Sequence, residues 1–266
     1  MGIPSYADRM AGVSGSAVRE ILKLTQQPDI ISFGGGLPSA DSFPMESLKE
    51  ILHDLTDNLS QELLQYGQTE GYDPLRQEVV KLMATKGVNV AMEDVLITSG
   101  SQQGLDLIAK SFINPGDKIV VESPTYLAAL QTFRMYGAEF IEAPVDADGV
   151  MADELDKILA SEENVKLIYM IPSFQNPSGR TVSAERRKAI MEVVQKYDVI
   201  LIEDAPYEDL KYTDDVYPCM KSMDTTGQVL YFGSFSKVIT PGFRLGYSIA
   251  SEQFCLQEPA PVTMVP

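Results

Sequence analysis

Residues 233–244 read GSFSKVITPGFR and lie between two apolar runs typical of β-strands. This stretch places Lys237 a short distance before Arg244. A lysine amine that is withdrawn from water becomes nucleophilic near neutral pH and forms Schiff bases with aldehydes. The planar guanidinium of an arginine binds phosphate through parallel hydrogen bonds. Alone, this pattern is a weak signal, because most lysines in serine-rich turns are solvated.

Polar residues also follow strand-like runs earlier in the chain. The β-branched run 199–203 leads into Asp204, with Tyr207 just beyond it, and the run 166–171 precedes Asn176. The carboxyl ends of parallel strands meet at one edge of a sheet, where ligands bind. We therefore expect these three side chains to lie close together.

A loop of small residues follows the apolar run 95–98 and opens a helix. It contains Gly100, Ser101 and Gln102. Backbone N–H groups at such a helix N-terminus bind phosphate. This loop is a candidate phosphate site at the same sheet edge.

The pattern of apolar runs predicts an α/β fold. Strands are predicted at 94–98, 118–122, 139–143, 166–171, 199–203, 229–233 and 245–250, with helices that include 102–113, 126–136 and 184–197. Such alternation predicts a mostly parallel, seven-stranded sheet in a three-layer α/β/α arrangement. A short helical segment is predicted to precede it.

Composition excludes several classes of function. The 266 residues carry a formal charge of −17, which disfavours nucleic acid and anionic membranes as partners. Without a membrane-spanning apolar run or a basic leader, the sequence predicts a cytoplasmic protein. Cys219 and Cys255 fit a reducing compartment. The single histidine, His53, is predicted on a helix surface, and no metal site is predicted.

Taken together, these motifs resemble the fold type I, pyridoxal-phosphate-dependent class I and II aminotransferases. The segments 18–26, 31–38 and 43–44 are similar to the branch with the 2-aminoadipate, kynurenine and related aromatic or branched-chain enzymes. The resemblance extends from about residue 15 to about residue 252. It implies transfer of an amino group from an L-amino acid to a 2-oxo acid such as 2-oxoglutarate.

The resemblance implies a role for each residue at the sheet edge. Lys237 would form the Schiff base and carry protons, and Asp204 would hold the protonated pyridine nitrogen. Asn176 and Tyr207 would bind the phenolic oxygen of the cofactor, and Tyr126 would stack on its ring. The phosphate would be bound by Gly100, Ser101, Gln102, Ser234, Ser236 and Arg244.

The same resemblance implies a homodimer and a substrate site. Tyr66 is similar to the tyrosine that reaches the phosphate of the neighbouring subunit. The glycine turn ending at Gly36 would lie beside the substrate, with Asn176 also in contact. Arg19 matches a position that binds an acidic substrate side chain, although a solvated helix arginine explains it equally well.

The resemblance also predicts how the chain is divided. Residues 1–45 would form an N-terminal helix and substrate loop, and residues 46–252 the large cofactor-binding domain. Family members continue into a smaller C-terminal domain with an arginine for the substrate carboxylate. Here the proline-containing residues 253–266 predict an irregular tail instead, so we expect cofactor binding with poor turnover.

Three alternatives stay open at the level of sequence. One is an effector module like the aminotransferase-like half of certain bacterial regulators. A second is a serine acyl-enzyme, because residues 234–237 fit S-x-x-K, although the companion motifs are missing. A third is a non-catalytic fragment that binds pyridoxal phosphate or has only a structural role.

Overall fold

The computed structural model describes residues 5–10, 29–31, 35–58, 61, 64–251 and 254. The chain divides into two compact units, Met1–Leu64 and Gln65–Pro266. The first unit contains helix α1 (Met45–Asn58), on which His53 is exposed, as predicted. Most of the helical segment predicted in 1–45 and nearly all of the predicted tail lie outside the described residues.

The second unit is built on a seven-stranded sheet with the strand order β1-β9-β8-β7-β6-β2-β3. Strand β9 is antiparallel to β1 and β8, and the other neighbouring pairs are parallel. This confirms the predicted, mostly parallel sheet. The strands are β1 (Val95–Thr98), β2 (Lys118–Glu122), β3 (Glu139–Ala143), β4 (Val145–Asp146), β5 (Gly149–Val150), β6 (Val165–Met170), β7 (Ile200–Asp204), β8 (Val229–Ser234) and β9 (Gly246–Ile249).

Helices alternate with the strands along the second unit. They are α2 (Asp73–Thr85), α3 (Ser101–Phe112), α4 (Leu127–Met135), α5 (Ala152–Ser161) and α6 (Ala184–Val194). Pro74 lies in the first turn of α2, where its missing N–H costs no hydrogen bond. The Ser183 side chain accepts a hydrogen bond from the Arg186 N–H and caps α6.

Each face of the sheet is covered by a separate apolar cluster. Leu155 of α5 and Ile190 of α6 pack with Leu201 on one face, while Leu105 of α3 and Phe133 of α4 pack with Ile202 on the other. Adjacent residues of β7 therefore point to opposite faces. This arrangement gives the three predicted layers and leaves the carboxyl edge of the parallel strands for polar residues.

Two details differ from the predicted elements. Strands β4 and β5 form a separate hairpin of two residues each, which is too short to give a periodic signal. Helix α6 was predicted to continue to residue 197 but ends at Val194. The N–H groups of Lys196 and Tyr197 bond carbonyls three residues earlier, so the chain tightens into turns there. Within the described part of the chain, no helix is long and apolar enough to cross a bilayer.

Candidate active site

Most of the predicted site residues of the second unit lie at the carboxyl edge of the sheet. Asp204 is the last residue of β7 and Ser234 the last of β8. Asn176 follows β6, and Lys237 follows β8 in the turn that leads toward β9. Because these strands are parallel neighbours, their ends bring the four residues to one region.

Asp204 is a buried carboxylate with one bonded and one unbonded oxygen. Its side chain is only 2% exposed, and the Tyr169 hydroxyl donates a hydrogen bond of 2.7 Å to Oδ2. Among the described residues, Oδ1 has no hydrogen-bond partner. Burial raises the pKa of Asp204 to about 6, although the bond from Tyr169 opposes this rise. A buried oxygen of this kind suits a ligand that donates a hydrogen bond.

Tyr207 lies close to two other predicted residues, Asn176 and Lys237. The Asn176 amide nitrogen lies 3.4 Å from the Tyr207 hydroxyl oxygen, to which it donates a hydrogen bond. Lys237 Nζ lies 5.9 Å from the centroid of the Tyr207 ring. Burial lowers the pKa of Lys237, which favours the nucleophilic, neutral amine. An electrophilic carbonyl bound here would meet both the amine and hydrogen-bond donors.

Tyr126 follows β2 and is half-buried. It packs against the same apolar cluster as Tyr207. Burial raises the pKa of Tyr126, the negative charge of Asp204 raises it further, and the positive charge of Arg244 lowers it. Tyr126 therefore lies within electrostatic reach of both charges.

Arg244 and the start of α3 form a concentrated donor region. Arg244 has a left-handed backbone (φ 52°) and an exposed side chain. A Cβ added to Gly100, which precedes α3 with φ 78°, would lie 2.9 Å from Arg244 Nη2. Only glycine permits this approach without strain. The guanidinium thus lies beside a helix N-terminus, an arrangement that binds phosphate.

The other residues predicted to bind the phosphate differ in the contacts that their side chains make. Ser234 Oγ accepts a hydrogen bond of 3.2 Å from the Ser236 N–H, which orders the turn before Lys237. The Gln102 side chain donates to Thr132 Oγ1 at 2.5 Å, so it is engaged with α4. Ser101 is the first residue of α3, one residue before the predicted start of that helix.

Three further residues were predicted for the site: Tyr66, Gly36 and Arg19. The Tyr66 side chain is 99% exposed in the second unit. Gly36 belongs to the other unit, where φ +56° places it in the left-handed region that favours glycine. Arg19 lies outside the described residues.

Sequence reasoning missed Tyr169, which looks like an ordinary packing residue inside an apolar strand. The signal was present in the register: Tyr169 pairs with Ile202, two residues before Asp204 on the same face of the sheet. Recognising this signal from the sequence would have required knowing that β6 and β7 are neighbours in the sheet.

Sequence reasoning also missed Glu122, the last residue of β2. Its Oε2 accepts a hydrogen bond of 2.9 Å from the Ile171 N–H, and burial raises its pKa to about 7. Gln175 Nε2 donates to the Pro124 carbonyl at 2.7 Å. These contacts tie the end of β2 to the segment that carries Asn176.

Comparison with known proteins places the chain among aminotransferases. The sequence model of the family described as "Aminotransferase class I and II" matches residues 28–258. The aromatic-amino-acid aminotransferase 1 of Thermococcus litoralis is 43% identical over 254 residues, which cover 94% of this chain. The 2-aminoadipate transaminase of Thermus thermophilus is 38% identical and covers 90% of this chain.

A solved structure agrees with these sequence matches. The kynurenine aminotransferase of Pyrococcus horikoshii, solved in complex with PMP, superposes with a TM-score of 0.87 at 41% identity over 93% of this chain. The match covers 62% of that structure. The chain likewise spans 61% of the T. litoralis protein and 59% of the T. thermophilus protein.

Proposed function

The chain belongs to the class I and II aminotransferase family, and from this we propose that it acts in a pyridoxal-phosphate-dependent transfer of amino groups. The donor would be an L-amino acid of the 2-aminoadipate, aromatic or branched-chain type, and the acceptor a 2-oxo acid such as 2-oxoglutarate. The names of the similar proteins support the aromatic and 2-aminoadipate types of donor.

The buried Asp204 is the observation that carries the proposal. Its Oδ1 is excluded from solvent and lacks a partner among the described residues, and a protonated pyridine nitrogen supplies the donor it needs. Arg244 and the N-terminus of α3, close to one another at Gly100, suit the phosphate. The residues present therefore fit pyridoxal phosphate.

Each residue would contribute a separate chemical role. When bound, pyridoxal phosphate supplies an electron sink for the substrate carbon that loses its proton. Lys237 would hold the cofactor covalently, and its amine would move the proton at that carbon. Asn176 and Tyr207 would donate hydrogen bonds to the phenolic oxygen. Tyr126 would cover the ring and exclude water from one side.

The visible absorption spectrum of the purified protein with pyridoxal phosphate tests the proposal. We expect a band from the lysine-bound cofactor that decreases when L-glutamate or L-2-aminoadipate is added. Lys237→Ala should abolish the band, while Lys211→Ala, which removes an exposed lysine, should leave it intact. A band that does not respond to amino acids would support cofactor binding and contradict amino-group transfer. No band would contradict both.

We also propose a homodimer in which Tyr66 reaches the phosphate of the second subunit. Its 99% exposed side chain is consistent with a partner outside the chain. Sedimentation should give a dimer, and Tyr66→Phe should weaken cofactor binding. Tyr212→Phe is the matched control, since Tyr212 is also fully exposed. A monomer that binds the cofactor equally well with or without the Tyr66 hydroxyl would contradict this arrangement.

A further inference from the structure

Tyr169 occupies an unusual place for a polar group, deep in the sheet and in contact with the carboxylate that carries the proposed function. Its side chain is 0% exposed and its hydroxyl donates to Asp204 Oδ2 at 2.7 Å. The two oxygens of Asp204 are therefore different: one is bonded from within the sheet and the other has no partner in the described part of the chain.

The position of the Tyr169 hydroxyl is fixed by regular structure. Tyr169 lies in β6 opposite Ile202 of β7, so strand pairing sets its distance from Asp204. Its ring packs edge-on against Phe133 of α4, with centroids 5.8 Å apart and an interplanar angle of 71°. A donor on a central strand with a packed ring has little freedom to move away from the carboxylate.

We propose that Tyr169 is a positioning residue, which holds Asp204 through Oδ2 and leaves Oδ1 to bind the ring nitrogen of the cofactor. The inference rests on the proposed function, because it assumes pyridoxal phosphate at this site. Without the Tyr169 bond, the carboxylate would lose its orientation. It would also take up a proton more readily, since hydrogen bonds to a carboxylate favour its charged form.

Other ionisable groups near this pair do not replace Tyr169. Burial raises the pKa of the Tyr169 hydroxyl most, followed by Asp204, and the charges of Glu122 and Tyr126 add smaller increases. Burial raises the pKa values of Tyr126 and Tyr207, and the negative charge of Asp204 raises them further. The bond that reaches Asp204 from a described side chain is the one from Tyr169.

The test compares Tyr169→Phe with Tyr197→Phe. Tyr197 donates a hydrogen bond of 2.8 Å to Asp156, outside the site, so its variant also loses a hydroxyl–carboxylate bond. We expect Tyr169→Phe to weaken pyridoxal phosphate binding about tenfold, and Tyr197→Phe to leave it unchanged. In the cofactor-free protein, carboxyl ¹³C NMR titration should show a higher pKa for Asp204 in Tyr169→Phe than in the wild type.

A second variant keeps the shape of the side chain and changes only the strength of the donor. A fluorotyrosine incorporated at position 169 has a more acidic hydroxyl, so it should lower the pKa of Asp204, opposite to the effect of Tyr169→Phe. If Tyr169→Phe and the fluorotyrosine variant both bind the cofactor with wild-type affinity and leave the titration of Asp204 unchanged, the proposed role of Tyr169 is overturned. Failure of the wild type to bind the cofactor would instead overturn the proposed function.

Discussion

At the residue scale, the site contains an acid whose surroundings oppose its charge. Asp204 is buried, and its pKa of about 6 lies above the ordinary value of 3.8. The folded, cofactor-free protein therefore binds this proton more tightly than the unfolded chain does. Stability contributed by the protonated acid is fully present below about pH 4 and is lost as the pH rises through about 6.

Asp204→Asn should consequently stabilise the cofactor-free protein at pH 7.5. The gain should be on the order of 3 kcal/mol, at about 1.4 kcal/mol per unit of pKa, and should vanish as the pH falls from about 6 to about 4. Urea unfolding at a series of pH values measures the difference. Glu122, with a pKa of about 7, is present in both proteins, so its titration cancels. A variant less stable than the wild type at pH 7.5 would contradict this prediction.

Gly100→Ala should weaken cofactor binding. The new Cβ would lie 2.9 Å from the Arg244 guanidinium and displace it, so we expect an affinity loss of about tenfold or more. Gly87→Ala is the control: Gly87 has nearly the same φ, 77° against 78°, and is exposed. Both variants place an alanine at a positive φ, and only the first places a Cβ against the arginine, because a Cβ at Gly87 has no neighbour within 4 Å. Equal losses of affinity would mean that strain, and not the arginine, is responsible.

The residues that sequence could identify were those with a motif. Lys237, Asp204 and Asn176 follow strand-like runs in recognisable stretches, and their roles stay predictions until cofactor binding is measured. Tyr169 has no motif, because an aromatic residue in a buried strand is ordinary. Its contact with Asp204 depends on register between strands 35 residues apart in the chain.

At the element scale, helix α3 packs closely against strand β8 at a glycine of the helix, Gly104. A Cβ on Gly104 would lie 2.4 Å from a ring carbon of Phe232, which is 1% exposed and cannot move aside. Close approach brings the N-terminus of α3 to the sheet edge. Local helix propensity and tertiary packing therefore make opposite demands at this position.

Gly104→Ala should destabilise the protein although alanine is the better helix former. We expect overpacking to lower the free energy of unfolding by about 1–3 kcal/mol, and the higher helix propensity of alanine to raise it by about 1 kcal/mol. Denaturant unfolding measures the change. Ser111→Ala, at an exposed position of the same helix, should be neutral or slightly stabilising. A stabilised Gly104 variant would show that α3 can shift away from β8.

Arg187→Met should be among the most destabilising substitutions in α6. The buried guanidinium donates to the Pro172 and Val182 carbonyls and lies 4.0 Å from Glu203, itself buried. Removing it takes the cation away from Glu203, which keeps only backbone and thiol donors, at a cost of about 3–5 kcal/mol. Lys188→Met, exposed on the same helix, should change stability by less than about 0.5 kcal/mol. Similar unfolding midpoints for the two variants would contradict this account.

Elements were predicted closely where their pattern was long. The strands of the large sheet begin and end within one residue of the predicted bounds, because each is an apolar run between polar turns. The direction of β9 carries no such signal, since an apolar strand reads alike in either orientation. The β4–β5 hairpin was missed for its length.

At the scale of the whole molecule, the formal charge is −17. Like charges repel more strongly in the compact state than in the extended chain, and salt screens this repulsion. We expect NaCl between 0.02 and about 0.3 M to raise the thermal midpoint by a few degrees. An equal effect of KCl, and a much smaller effect of sucrose, would identify screening as the cause. A midpoint that falls with salt would contradict it.

The α/β class was predictable because it depends only on the alternation of elements. The chain divides into compact units between Leu64 and Gln65, and the predicted domain bounds at residues 45 and 252 stay predictions. Contacts between residues far apart in the chain define such units, and a local pattern does not report them.

The antiparallel strand β9 also determines when the sheet is completed during synthesis. β1 is an edge strand whose ladder partner is β9, although residues 99–245 lie between them in the chain. At about 5–20 residues per second, translation takes on the order of 10 s to pass from one to the other. Through that interval the nascent β1, on which α2 packs, has no partner strand, and we expect chaperones at the ribosome to bind this segment.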